Sequence, residues 1–587
     1  MFRLFYKICV LFSVAGSVNA VLTANTTLAG ISDTALRTVA VSGTGVLTLT
    51  ATNAAITALT VTGAAGVNAD ISSVNGLTAF TGANTTGNNT ITLTATAQTF
   101  TGGTGDDTVT IAADATKAIA GGAGTNTLVL NAAGNTFTAA KTGTNVTGFT
   151  ALKTTALVTG TVDMSTLPSG FTKIETSGTT PTTTFTKVAA GTALQLDTAG
   201  STVVYQTSDT NAAANSVTVT LKGAAATGGG TVGYTTTALT LADANSIGIG
   251  NVSFVTDASV TGGAHIITTL TNSGLSNLSI SGTGALTITN AATSATSLTI
   301  SDNNTSTGAS GITNLTSTGN VLGSISYSGT HAFSIGTLTD GVANATFNNA
   351  NTGSTGVLTV GSWTNNNLVN LTLNGSVALT LVNGVAAPVT ISGATNNQIV
   401  NATLTGNGID TITLGNGANV ITTGSAADII VLGTGANTVT PKAGGDKVTF
   451  GAHTTGTVNT VIYSAASETF ASAVTSGTTA LTAAAGADIF TGLQAGDKID
   501  LQALTTAAYV NTFGTSIMTG GTTGAFALVK GSYVASTGVF SVSTTGADSI
   551  LQWDADGTSA GTTVETIVLV GFAGTASSTT DGLITLA

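Results

Sequence analysis

Five polar residues, Asp410, Asn419, Asp428, Asn437 and Asp446, recur at nine-residue intervals between Gly406 and Phe450. Two residues after each comes an apolar one: Ile412, Ile421, Ile430, Val439 and Val448. Glycines precede several of the polar residues at fixed offsets (Gly406 and Gly408, Gly415 and Gly417, Gly433 and Gly435), where a tight turn is expected to need residues that tolerate positive φ. The repeating unit reads as a turn, an Asp or Asn, then a short strand with one inward apolar side chain. If two units make one coil of 18 residues, Asp410, Asp428 and Asp446 stack on one edge and Asn419 and Asn437 on the other. Coils of a parallel solenoid are ~4.8 Å apart. Like charges at ~4 Å repel by ~1 kcal/mol in water and ~4 kcal/mol at a partly screened edge. A cation between the carboxylates relieves that repulsion, and a flexible ring of hard oxygen ligands suits Ca2+ better than magnesium, zinc or copper. The competing reading is a metal-free solenoid in which Asp and Asn serve only as turn formers.

The most complete unit lies elsewhere. Gly102, Gly103, Gly105, Asp107 and Val109 match G-G-x-G-x-D-x-U-x at every defined position. Gly121, Gly122, Gly124, Asn126 and Leu128 repeat it with Asn for Asp, and Gly87, Asn89 and Ile91 form a partial copy. This pattern resembles the glycine-rich nonapeptide (RTX) repeats of hemolysin type, in which calcium locks a parallel β-roll. The resemblance implies metal ligation by Asp410, Asp428 and Asp446 with turn residues such as Gly406 and Gly408, and by Asp106 and Asp107 with Gly103 and Gly105. For Asn419 and Asn437 it leaves weaker ion binding or a ladder of side-chain hydrogen bonds. Lys442 and Ala426 depart from the pattern, each standing where a turn glycine is expected. Gly486, Asp488 and Phe490 give one more turn-like unit, and Asp488 joins the candidate ligands. Asp554 and Asp556, beside Gly557, read equally as a calcium loop or an ordinary turn.

Composition sets the frame for these units. Only 6% of the 587 residues are charged and 5% aromatic, with 75 glycines and a mean hydropathy of +0.42. Disordered chains combine high charge with low hydrophobicity, the reverse of this balance. Short apolar triplets closed by Ser, Thr or Asn recur, as in Leu59-Thr60-Val61, Leu278-Ser279-Ile280 and Leu371-Thr372-Leu373. Alternation of this kind makes short strands with one buried face, and four prolines leave the ladders nearly uninterrupted. The chain therefore reads as all-β: a β-solenoid or parallel β-roll, with further irregular β-structure and a C-terminal β cap. The expected divisions are a leader at 1–20, a β-rich repeat region at 21–400 with the small nonapeptide segment at 80–130, the main nonapeptide block at 401–455, and the cap at 456–587. Within the cap, Gly496-Asp497-Lys498-Ile499-Asp500-Leu501 resembles the segment that follows the repeats in proteins exported by type I secretion.

A net charge of −12 and a pI near 4.4 exclude a nucleic-acid binder working by phosphate neutralisation. They suit cation binding. Edges with so few charged gatekeepers invite pairing with other chains, as in something that assembles. Arg3 and Lys7, the apolar run Ile8 to Val18 and the small residues ending at Ala20 read as a cleaved secretory leader that contains the single cysteine, Cys9. No later stretch has the length of a membrane helix. The leader and the type I resemblance point to different export routes, and both end outside the cytoplasm. His265, His331 and His453 are isolated, and neither an H-E-x-x-H helix, a G-x-S-x-G elbow nor a P-loop occurs. The expectation is therefore a non-enzymatic structural protein, similar to the calcium-dependent surface-layer (S-layer) proteins of Gram-negative bacteria. That resemblance implies self-association into a lattice and anchoring on lipopolysaccharide or another surface glycan. A secreted RTX adhesin or biofilm-matrix protein is the alternative. An ice-binding protein, suggested by Thr90-Ile91-Thr92 and Thr108-Val109-Thr110, ranks last.

Overall fold

Short strands with period-two burial stack into parallel coils throughout the computed structural model of the chain. It describes all residues except 1–7, 13–15, 29–33, 51–54, 133–143, 156–157, 159, 178–181, 198–201, 212–213, 226–230, 257–263, 307, 352–355, 386, 394–397, 466–467, 470, 474–478, 483–485, 505–509, 512–524, 554–562 and 579–581. The chain divides into two compact units, Met1–Ala292 with Asn303–Gly308, and Thr293–Asp302 with Ala309–Ala587. No helix among the described residues is long and apolar enough to cross a membrane.

The first unit is a two-sheet solenoid. One sheet climbs from Thr26–Leu28 through Thr90–Leu93, Thr108–Ile111 and Thr127–Leu130 to Asn277–Gly282, every step parallel. The facing layer is made of two sheets in succession, the first ending at Val146–Thr147 and the next starting at Gly160–Asp163. Leu59 and Val61 are buried from the strand Ala58–Gly63, and Leu278 and Ile280 from Asn277–Gly282, while the intervening Ser and Thr face outward. Ser17–Leu22 pairs in parallel with Thr38–Gly43, and Ile8–Phe12 lies antiparallel to it. Ala20, the last residue of the expected leader, is thus buried inside a paired strand.

The second unit repeats the plan and then changes it. Thr390–Gly393, Thr411–Leu414, Ile429–Leu432, Lys447–Phe450 and Ile489–Thr491 stack in one sheet, bringing Ile391, Ile412, Ile430, Val448 and Phe490 into one inward column. Ile399–Leu404, Val420–Thr422, Thr438–Thr440, Thr460–Ile462 and Lys498–Asp500 do the same opposite, with Ala402, Ile421, Val439, Val461 and Ile499 inward. Each fully buried Ile or Val contributes ~1.5–3 kcal/mol, so these columns clamp the coils together. The register runs through residues 400 and 401 without a break, so the nonapeptide block continues the coils before it. Beyond it Ala525–Val534, Val539–Val542, Asp548–Trp553 and Thr563–Val570 pair antiparallel, and Leu583–Leu586 closes antiparallel on Lys498–Asp500. This antiparallel layer falls within the region expected to form a cap.

The turn glycines serve a different purpose from the expected one. Gly406, Gly408, Gly415, Gly417, Gly433 and Gly435 do not have positive φ. What excludes a side chain is the coil next door: a Cβ on Gly417 would lie 1.5 Å from the carbonyl oxygen of Gln398, and one on Gly424 1.6 Å from that of Gly406. Stacked backbones at strand spacing leave no room there. Lys442, in place of a glycine, adopts positive φ at +64°, and Gly444 in the same turn does so at +144°.

Candidate functional site

The phase predicted for Asp410, Asp428 and Asp446 is realised as a continuous hydrogen-bonded row. Each Asp immediately precedes a strand, so its side chain turns into the corner of the coil. Val389 N–H donates to Asp410 Oδ1 at 2.8 Å, Asp410 N–H to Asp428 Oδ1 at 2.7 Å, and Asp428 N–H to Asp446 Oδ1 at 2.7 Å. Asp446 N–H then donates to Asp488 Oδ1 at 2.9 Å, across 42 residues instead of 18. The fourth carboxylate therefore joins the row after an excursion of the chain. All four are buried, at 0–2% exposure. The sequence placed them on an edge with only turn backbone around them; the fold puts them inside it.

Asn419 and Asn437 form the matching row on the other edge. Val400 N–H donates to Asn419 Oδ1, Asn419 N–H to Asn437 Oδ1, and Asn437 N–H to Asn459 Oδ1, at 3.0–3.1 Å. At Asn419 and Asn437 the second polar atom also has partners, whereas Asn459 Nδ2 is buried without one. Asn437 Nδ2 donates to the carbonyls of Gly435 at 2.8 Å and Gly433 at 3.3 Å and to Asn459 Oδ1 at 3.2 Å. Asn419 Nδ2 likewise reaches Gly417 O and Asn437 Oδ1. The row ends on Asp497, whose Oδ1 accepts from Asn459 N–H at 2.7 Å. Asp497 Oδ2 accepts from Gln494 N–H and lies 3.0 Å from His453 Nε2.

The two rows differ by one atom per coil, and that atom decides their chemistry. Oδ2 of Asp428 and of Asp446 is buried without a hydrogen-bond partner. By the repeat, the groups around Asp428 that correspond to the acceptors of Asn437 Nδ2 are the carbonyls of Ala426 and Gly424 and Oδ1 of Asp446, while the Thr423 hydroxyl and the Gly424 N–H also approach the carboxylate and oppose its upward shift. An amide nitrogen satisfies such acceptors; a carboxylate oxygen does so only with a proton or a cation beside it. Asp488 Oδ2 accepts from the hydroxyl of Tyr463 at 2.6 Å. Among the described residues no ion pair includes any of these four Asp residues.

Burial accordingly holds all four carboxyls above the usual range. Asp410 is pushed up to about 6, mainly by burial and secondarily by the charge of Asp428. Asp428 is raised by burial. Asp446 and Asp488 are both raised by burial first, with the neighbouring charge of Asp488 adding to the effect on Asp446. Such a row can hold protons or hold a cation.

In the first unit the candidate residues separate. Asn89 N–H and Nδ2 both donate to Asp107 Oδ1 at 2.8 Å, and Asp107 N–H donates to Asn126 Oδ1 at 2.7 Å. Asp107 is thus a lone carboxylate between two Asn residues, buried, raised by that burial, and unpartnered at Oδ2. Gly102 stands against that oxygen, where a Cβ would lie 2.2 Å away. Gly103 and Gly105 are buried for the same stacking reason, against Thr85 O and Gly87 O. Asp106 points outward, where its Oδ1 accepts from Thr125 N–H at 2.7 Å, so it does not share a site with Asp107. Asp554 and Asp556 lie outside the described residues. Among the described residues no three His, Cys, Asp or Glu side chains gather around one point.

Sequence reading missed Asn459, Asp497, Tyr463 and His453. A signal was present for two of them: Asn459-Thr460-Val461 and Asp497-Lys498-Ile499 carry the polar-x-apolar triplet of Asp446-Lys447-Val448, displaced from nine-residue register by the intervening chain. No protein-family model matches this sequence, and no match is found among curated proteins.

Proposed function

We propose that the protein is a non-enzymatic structural solenoid of the bacterial cell surface, made rigid by calcium after secretion and built to self-associate into a surface layer. The observation that carries this reading is the row Asp410, Asp428, Asp446 and Asp488, buried, without a basic partner, and with unpartnered inner oxygens at Asp428 and Asp446. The donor set fits a hard divalent ion: consecutive carboxylates and turn carbonyls, with water completing the shell. Calcium, when bound, supplies the positive charge that the row lacks. The chain's own part is to hold each Oδ1 on the N–H of the preceding coil, leaving Oδ2 of Asp428 and Asp446 without a hydrogen-bond partner, and to exclude solvent with the Ile and Val columns alongside. Scarce external calcium would leave the row to protons or mutual repulsion, so rigidity would follow location.

Titration of the purified protein with calcium, followed by thermal melting and negative-stain microscopy, tests the reading. Chelation with EGTA should lower the melting midpoint and disperse ordered sheets, with calcium and not magnesium restoring both. Assembly and stability that ignore chelation would refute it. For the ice-binding alternative, Thr90, Thr108 and Thr127 stack in one column between Asn68 and Ala151, and Thr92 and Thr110 in the other between Asp70 and Val129. A threonine grid two to three coils deep is small for a flat ice-contacting face, and absence of thermal hysteresis would close that reading.

A further inference from the structure

Between Ala309 and Pro441 the only charged side chains are Asp340, Asp410 and Asp428, and all three are buried. No Lys, Arg or Glu occurs in that stretch, so this part of the second unit presents a surface with no formal charge unless His331 is protonated. The rest of the sequence is acidic enough to give the chain −12 overall. The first unit, by contrast, displays ion pairs on an outer face, with Lys153 bridging Glu175 and Asp197.

One of the two sheets runs uncharged through seven strands of this unit before it reaches Lys498–Asp500. Seven parallel strands, from Ser310–Ser317 through Phe333–Thr339, Leu358–Thr364, Val377–Asn383, Ile399–Leu404 and Val420–Thr422 to Thr438–Thr440, show outward Thr, Ser, Asn, Gly and Ala. From this polar face Val382, Ile399 and Val420 stand out at 40%, 55% and 43% exposure. The opposite sheet is also uncharged from Ser324–Gly329 to Ile429–Leu432, but its strands there are only four to six residues long and the next one carries Lys447.

We propose that the face of these seven strands is the surface on which a second copy of the chain packs, sheet against sheet about a two-fold axis. This rests on the self-association proposed above and names its contact. Two copies at −12 repel each other on any acidic surface; this face brings no like charges together. Its hydroxyls and amides are donors and acceptors at once, so the same surface can satisfy itself across a two-fold. Seven strands at ~4.8 Å spacing, three to eight residues long at ~3.3 Å per residue, cover ~600 Å². Two such faces bury ~1,200 Å² in total, the lower bound of a specific interface. The face also lacks the lysines that keep free sheets apart.

The test is sedimentation velocity over a concentration series in calcium with wild type, Ile399→Glu, Ser362→Glu and, as control on the opposite sheet, Thr413→Glu. Each substituted side chain is outward, and thermal melting checks that the fold is kept. A two-fold contact repeats the new carboxylate on both copies, so I399E and S362E should each weaken association at least ~10-fold, with T413E within ~2-fold of wild type. Association that survives I399E and S362E, or is lost with T413E alone, overturns the assignment of this face and leaves self-association standing. A wild type that stays monomeric at every concentration overturns both. Binding of wild type, and not I399E, to a neutral polysaccharide such as dextran, without self-association, would hand the face to a glycan and also overturn the proposal.

Discussion

Replacing Asp428 by Asn changes one atom of the row and should change the sign of the effect with calcium. In chelator, the new Nδ2 finds the acceptors that Asn437 Nδ2 finds one edge away. It removes a buried unpartnered oxygen, worth ~1–3 kcal/mol, and adds a hydrogen bond worth ~1 kcal/mol. It also removes a charge that pushes Asp410, Asp446 and Asp488 upward. D428N should therefore be more stable than wild type in EGTA by ~1–3 kcal/mol, a rise of ~2–4 °C in melting midpoint per kcal/mol for a unit of this size. With calcium the order should reverse. A ligand that loses its charge weakens the ion, and a 100-fold loss of affinity removes ~2.7 kcal/mol of stabilisation at saturating metal. Differential scanning calorimetry of both proteins in EGTA and in millimolar calcium gives four midpoints. A variant less stable than wild type in EGTA would refute the reasoning, since Asp428 would then be satisfied by something other than an ion. A variant equally stabilised in both buffers would leave the row metal-free.

Metal-free protein should lose stability as pH rises. Asp410 has an ordinary value of 3.8 and a folded value of about 6, so the folded state binds the extra proton. Its stabilisation is complete below about pH 4 and lost by about pH 6, ~3 kcal/mol in all; denaturant melts in EGTA should show this slope, and Asp410→Asn should flatten it. Gly417→Ala should destabilise by several kcal/mol, against the usual gain of ~0.4–1 kcal/mol for such a change in a compatible backbone, because its Cβ would meet Gln398 O at 1.5 Å; a melt unchanged from wild type would count against the coil stacking. Asn437→Ala removes hydrogen bonds to Gly433, Gly435 and Asn459 and should cost ~1–3 kcal/mol equally with and without calcium, by calorimetry.

The nine-residue phase was enough to place the two rows on opposite edges, because a period that divides an 18-residue coil leaves no freedom of register. The inward column from Ile412 to Val448 was legible for the same reason. Asp488, Asn459 and Asp497 show where that logic stops. They belong to the rows, yet chain excursions shift them out of phase, and only closure of the coil in space restores the alignment. The depth of the carboxylates was also hidden. Asp is a common turn former, and nothing in the pattern distinguishes a side chain pointing out, like Asp106, from one pointing in, like its neighbour Asp107. At Gly406, Gly408, Gly415, Gly417, Gly433 and Gly435 the sequence suggests a torsional demand that the structure does not show, and at Gly417 the adjacent coil imposes a steric one instead; Gly122, Gly124 and Gly444 do take positive φ.

A solenoid built from one repeated unit has two edges of the same geometry, and here they carry different chemistry. At Asn419 and Asn437 the Asn row is satisfied without any ligand, since each of these amides supplies both an acceptor for the next coil and a donor for its own turn, and only Asn459 Nδ2 is left unpartnered among the row's described amides. It ends on a carboxylate that has its own histidine. The Asp row keeps the acceptor and omits the donor, at four consecutive positions. Turn formation alone does not require that asymmetry, because Asn serves the turn equally well on the facing edge and leaves no buried oxygen unpartnered. Four buried carboxylates without a basic partner weaken a fold unless something outside the sequence completes them. The Asn edge sets the coil register by itself, which leaves the Asp edge as the place where an external ion or proton can govern how firmly the coils hold.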